Sequence, residues 1–166
     1  MAAPVVSSAH LASGASPGLS ELEFGLNLVA TAYHRWIVRC AAAAGAQLSP
    51  LEVLILHTVR HRDRPKRVSD IMLVLDIEDT HIATYALRKL TTAGLVETKR
   101  VGKEKLIAAS AAGRKFCDAY TEIREQLLVS PVVASGQGEE GLSQIAERLR
   151  ALSGQYNQAA RAAATL

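Results

Sequence analysis

Several things are scarce or missing in this sequence of 166 residues, and each absence excludes something. Two cysteines, Cys40 and Cys117, cannot build a disulfide framework. No apolar run approaches the roughly 18–20 residues that a bilayer crossing needs. Met1 to Ser20 contain no Lys or Arg, so the charged start of a secretory signal is missing. A cytoplasmic location is the expectation. Neither a Gly-rich phosphate loop nor a Gly-x-Ser-x-Gly elbow occurs, and the adjacent acids Glu78-Asp79 and Glu139-Glu140 fall at helix starts, where the dipole explains them. Catalysis is not expected. The five histidines, His10, His34, His57, His61 and His81, are dispersed and no Cys-x-x-Cys is present, so neither a metal nor another cofactor is expected.

What is there is a moderately apolar chain, 49% hydrophobic, with charge gathered in its middle. From His57 to Lys105 eleven Lys or Arg face seven acids, an excess of four; the rest of the chain holds eight basic against nine acidic residues. One module, rather than the whole chain, therefore suits an anionic partner.

Residues 1–19, rich in Ala, Ser, Gly and Pro without a period, read as a disordered tail. Ser20-Glu21-Leu22-Glu23 resembles a capping box and starts a helix over 20–46, ended by Gly45. Leu22, Leu26, Val29, Tyr33, Trp36 and Cys40 alternate steps of four and three, a heptad-like seam. Ser49-Pro50 restarts helix, and Pro65 makes Arg60 to Arg67 a basic loop. A short helix over Val68 to Leu75 and a turn at Asp76 to Asp79 come next. The helix Thr80 to Ala93 buries Ala83, Ala86, Leu87 and Leu90 and turns His81, Thr84, Tyr85, Arg88 and Lys89 outward. Gly94 caps it. Two strands, Leu95 to Val101 and Lys105 to Ala109, flank a short turn. Ser110 opens a helix predicted to run to Val129, and Ser130 to Gly138 reads as a loop. The last helix carries Leu142, Ile145, Leu149, Leu152, Tyr156 and Ala159 at heptad-like steps. Cys40 and Cys117 read as small core residues rather than thiol sensors.

A short helix, a tight turn, a second helix and a small basic hairpin make a winged helix-turn-helix, a mainly α fold with a two- or three-stranded β wing. An α-helix fits the major groove, where its outward side chains reach base edges, while a hairpin carries cations to the backbone or minor groove. The recognition-helix candidates are Thr80, His81, Thr84, Tyr85, Arg88 and Lys89. Lys99, Arg100, Lys103 and Lys105 of the wing and Arg64, Lys66 and Arg67 of the basic loop are the backbone candidates. Double-stranded DNA is the expected partner. The competing reading is a winged helix reused for protein interaction without DNA binding.

Leu51 to Phe116, between long terminal helices, resembles the MarR family of bacterial transcription regulators. Leu48-Ser49-Pro50-Leu51-Glu52-Val53-Leu54 is similar to the opening of that family's second helix. The run Leu87-Arg88-Lys89-Leu90-Thr91-Thr92-Ala93-Gly94-Leu95-Val96 is similar to its passage from recognition helix into wing, and Ser110-Ala111-Ala112-Gly113 to its Thr-x-x-Gly helix start. The wing Val101-Gly102-Lys103-Glu104-Lys105 departs from the family in lacking an Asp-x-Arg pair. The resemblance implies a homodimer on a near-palindromic site, acting as a transcriptional repressor. It divides the chain into a dimerisation helix (20–46), a DNA-binding lobe (47–113) and C-terminal dimerisation helices (114–166). Leu22, Leu26, Val29, Leu142, Ile145, Leu149, Leu152 and Tyr156 are the candidate dimer contacts, which the two seams independently suit. Tyr33 and Trp36 are the candidate lining of a small-molecule effector pocket.

Overall fold

The computed structural model describes residues 3–136 and 138–166. The chain divides after Ile123 into two compact units. In the first, helices α1 (Ala9–Ala12), α2 (Pro17–Ala43), α3 (Pro50–Arg60), α4 (Val68–Val74) and α5 (Thr80–Thr92) precede strands β1 (Val96–Val101) and β2 (Glu104–Ala109), and α6 (Ala111–Arg124) follows. A π-helical turn (Glu125–Val129), α7 (Ser130–Ala134) and α8 (Glu139–Ala163) make the second unit. The mainly α architecture with a small β wing is as the sequence indicates.

Three boundaries differ. The segment 1–19 is not structureless: α1 forms within it and α2 begins at Pro17. Ser16 accepts from the Leu19 amide at 3.3 Å, and Pro17 takes the first position, where a missing N–H costs nothing. Ser20 is therefore no cap. It lies inside α2, buried, and its hydroxyl donates to the Leu11 carbonyl at 2.8 Å. The helix opened after Ser110 does reach Val129, its last turn π-helical from Glu125, but it does not end there: the segment read as a loop after Val129 contains α7. Finally, α6 joins the first unit instead of a C-terminal segment starting at 114, because Phe116, Cys117 and Tyr120 are buried in the same core as α3 and α5.

That core is centred on α3, whose Val53, Ile55, Leu56 and Val59 are almost fully buried. Around it stand Ile37, Cys40 and Ala41 of α2, Ile71 of α4 and the Ala86, Leu87, Leu90 stripe of α5. Ser49 caps α3 in a full capping box: Glu52 N–H donates to the serine oxygen, and the Glu52 carboxylate accepts from the Ser49 amide at 2.9 Å.

Strands β1 and β2 pair antiparallel from Val96↔Ala109 to Val101↔Glu104, leaving only Gly102 and Lys103 in the loop. Gly102 has φ +63°, the left-handed value that a two-residue hairpin needs at its first position. Lys66 adds a one-residue bridge to Ile107, exchanging two 2.8 Å backbone bonds with it. The base of the wing is held against α6 by Ser110, whose hydroxyl donates to the Gly94 carbonyl and accepts from the Gly113 amide. Gly113 must be glycine there, since a Cβ would lie 2.0 Å from the Leu95 carbonyl oxygen.

Candidate nucleic-acid interface

Helix α5 is positioned by its apolar stripe. Ala83, Ala86, Leu87 and Leu90 are buried, so at 100° per residue the opposite arc must face solvent. It does: Thr80, His81, Thr84, Tyr85, Arg88 and Lys89 are all exposed. Asp79 explains itself as the cap, its carboxylate accepting from the His81 amide at 2.8 Å. Asp76, in the turn between α4 and α5, adopts φ +53°, a left-handed value for which glycine is the easier residue.

Strand alternation decides what the wing shows to that helix. In the observed register Thr98 and Arg100 share one face with Ile107 and Lys105, while Glu97 and Lys99 share the other with Leu106 and Glu104. The first face closes a cleft of about 440 Å³ against α5, lined by Thr84, Arg88 and Thr91 on the helix and Thr98, Lys105 and Ile107 on the wing. Hydroxyls and cations dominate its polar lining, which is the chemistry that holds a sugar–phosphate backbone. Among the described residues no carboxylate pairs with Arg88, Arg100, Lys103 or Lys105.

Residues 48–113 match the family model of the winged helix DNA-binding domain. Solved structures agree over most of the chain. A MarR family regulator from Neisseria meningitidis superposes with a TM-score of 0.67 at 17% identity, covering 85% of this chain and 94% of its own. A mutant MarR from E. coli complexed with operator DNA gives 0.67 at 15% identity, covering 84% and 99%. The MepR–DNA complex from S. aureus gives 0.64 at 15% identity, covering 81% and 95%. No curated protein matches. This is a winged helix of the MarR fold.

Within that fold the other basic candidates are not equivalent. Lys66 is turned inward: its ammonium donates to the carbonyls of Val59 (3.2 Å), His61 (2.6 Å) and Arg64 (2.9 Å). Those three bonds hold a loop in which Arg62 and Asp63 both have left-handed φ, +56° and +50°. Burial lowers the Lys66 pKa below the ordinary lysine value, against the opposing pull of Asp63. Arg67 is bonded to Glu104 at 2.6 Å and so ties the start of α4 to the wing. Lys99 lies on the outer wing face, 3.4 Å from Glu97, and with Arg64 and Arg114 lines a separate polar niche of about 310 Å³. Lys89 sits 3.8 Å from Glu52.

Sequence reasoning passed over Ile82, Thr91 and Thr98. Ile82 is 52% exposed on the outward arc of α5, where an apolar side chain suits a thymine methyl. Its signal was its position outside the buried stripe. Thr98 was recoverable from strand alternation with Arg100.

Trp36 packs against the core and Tyr33 is exposed, while the cleft described on α2 is lined by Thr31, His34, Arg35, Val38, Arg39 and Pro50. His57 and His61 are four apart, a spacing two metal ligands can take, but among the described residues no group of three or more His, Cys, Asp or Glu could hold an ion. Both cysteines are buried, and desolvation pushes the Cys117 thiol up to about 11. No helix among the described residues is long and apolar enough to cross a membrane.

Proposed function

We propose that the chain is a MarR-type, sequence-specific DNA-binding transcriptional regulator of the cytoplasm. It acts as a homodimer on a pseudo-palindromic site and represses by occupying it. The carrying observation is the cleft between α5 and the wing, whose cations Arg88 and Lys105, with Arg100 on the same wing face, have no carboxylate partner among the described residues. In this reading α5 enters the major groove. His81, Tyr85 and Arg88 meet base edges there, Thr80 meets the backbone at the helix start, and Thr84 and Lys105 hold the strand passing through the cleft. Arg64, Arg100 and Lys103 hold neighbouring phosphates. The relatives solved with DNA, MarR with its operator and MepR, support this use of the fold.

Two apolar faces support the dimer. On α2, Leu22, Val29 and Tyr33 are exposed and Leu26 is half-buried. Helix α8 has no buried residue over its 25 positions, although Leu142, Ile145, Leu149, Leu152 and Tyr156 form one seam. A second copy covering both would fix the spacing of two recognition helices at about one turn of DNA, ~10–10.5 bp.

Selection from a random DNA pool, followed by titration of the enriched site at several salt concentrations, tests the proposal. A motif repeated with two-fold symmetry, bound by a sedimenting dimer with affinity falling steeply in salt, is the expected result. An unenriched pool even in low salt overturns it and leaves the protein-interaction reading.

A further inference from the structure

Helix α5 carries one exposed aromatic at the centre of its outward arc, Tyr85, and that ring is not left to itself. We propose that Tyr85 is a base-reading side chain held in register by the buried carboxylate of Glu52 acting through Lys89, and that Lys89 positions Tyr85 instead of contacting phosphate. The proposal rests on the DNA-binding reading above.

The geometry runs from the core outward. Glu52 lies on α3, is only 5% exposed, and has one carboxylate oxygen fixed by the Ser49 amide at 2.9 Å. Its other oxygen is 3.8 Å from the Lys89 ammonium, the only cation paired with it among the described residues. A buried carboxylate left without a cation is costly, so Lys89 is tethered to α3 by more than the weak attraction of an open surface pair. The same ammonium stands 5.0 Å from the centroid of the Tyr85 ring. That cation–π contact fixes a ring which is 57% exposed and would otherwise sample several rotamers.

Position on the helix separates the two cations of α5. Arg88 and Thr84 lie on the flank that faces the wing cleft. Lys89 lies on the opposite flank, towards α3, with its charge already balanced by Glu52. A charge already balanced within the protein neutralises no phosphate and releases little counterion on binding. Tyr85 stands between the two flanks, with a hydroxyl that donates or accepts and a face that suits a thymine methyl.

The test uses the full-length protein and the site selected by the wild type. Tyr85→Ala identifies the base position that Tyr85 reads, with discrimination there falling about fivefold or more. Lys89→Met and Glu52→Gln are expected to flatten preference at that same position several-fold, leaving the slope of log K against log salt unchanged. Lys89→Arg, which can pair with Glu52, should retain the preference. Glutamine still serves the capping box, and the double variant E52Q/K89M removes both charges together, so a fold without a stranded carboxylate is available if Lys89→Met alone does not fold. A fall in slope of about 0.9 for Lys89→Met, with all sequences weakened alike, is the mark of a phosphate contact and overturns the proposal. Unchanged preference in the double variant overturns it as well. Should the wild type select no motif, the DNA-binding reading itself fails; should it select one that these variants keep, only the present inference fails.

Discussion

Arg100 and Lys105 stand directly opposite each other across the wing, two like charges on one face of a two-stranded ribbon. Such a pair destabilises a hairpin by about 0.2–1 kcal/mol unless an anion comes between them. Arg100→Ala is therefore expected to raise thermal stability slightly while weakening DNA binding on every sequence. Each of Arg100→Ala and Lys105→Ala should lower the salt slope by about 0.9. Melting curves and salt titrations of the same preparations check both halves of the trade.

Arg88 lines the cleft from the helix side and has no ion-pair partner among the described residues. Its replacement by alanine should change which base is favoured at one position of each half-site, by about 1–3 kcal/mol. Repeating the pool selection with the variant reads this directly. A uniform loss on all sequences would instead make Arg88 a backbone contact.

Gly113 touches the turn that launches the wing. A methyl group there must displace the Leu95 carbonyl, backbone that Ser110 also bonds through its amide at 3.1 Å. Gly113→Ala is expected to cost about 1–3 kcal/mol or more, seen as a lower midpoint in urea. DNA affinity should fall with it, since α6 and the wing base separate together.

The Cys117 thiol, raised by burial from 9.0 to about 11, stays protonated in the native protein at neutral pH. Between those two values the native state binds more protons than the unfolded chain, so stability should fall as pH rises from 9 towards 11. A thiol reagent at pH 8 should react slowly with the folded protein and fully in urea. Mild peroxide should leave DNA binding unchanged.

How far the sequence could be read follows the range of the interactions involved. The stripe Ala83, Ala86, Leu87, Leu90 announces α5 and its exposed face because one helix period contains all the information. Ser49-Pro50 marks the start of α3 for the same reason. The same device at Ser16-Pro17 went unread because Ser20 and Glu23 imitate a capping box four residues later, and only the contact from Ser20 to Leu11 decides between them. Lys66, Arg67 and Lys89 look alike as basic residues in a basic module. Their acceptors are set by how the chain folds: for Lys66 the carbonyls of Val59 at the end of α3 and of His61 and Arg64 in its own loop, for Arg67 Glu104 on the wing, for Lys89 Glu52 on α3. No local pattern specifies those partners, so composition counted all three as available to DNA.

The ammonium of Lys66 has a consequence for any reading of this protein by charge alone. Three backbone oxygens converge on a single nitrogen, and only a small tetrahedral head meets all of them. Arginine would preserve the formal electrostatics, yet its flat, wider fork has no way to gather that trio. An exchange that looks silent on a titration curve would thus loosen the bend that aims Arg64, and a neighbour's reach would be lost with no cation removed.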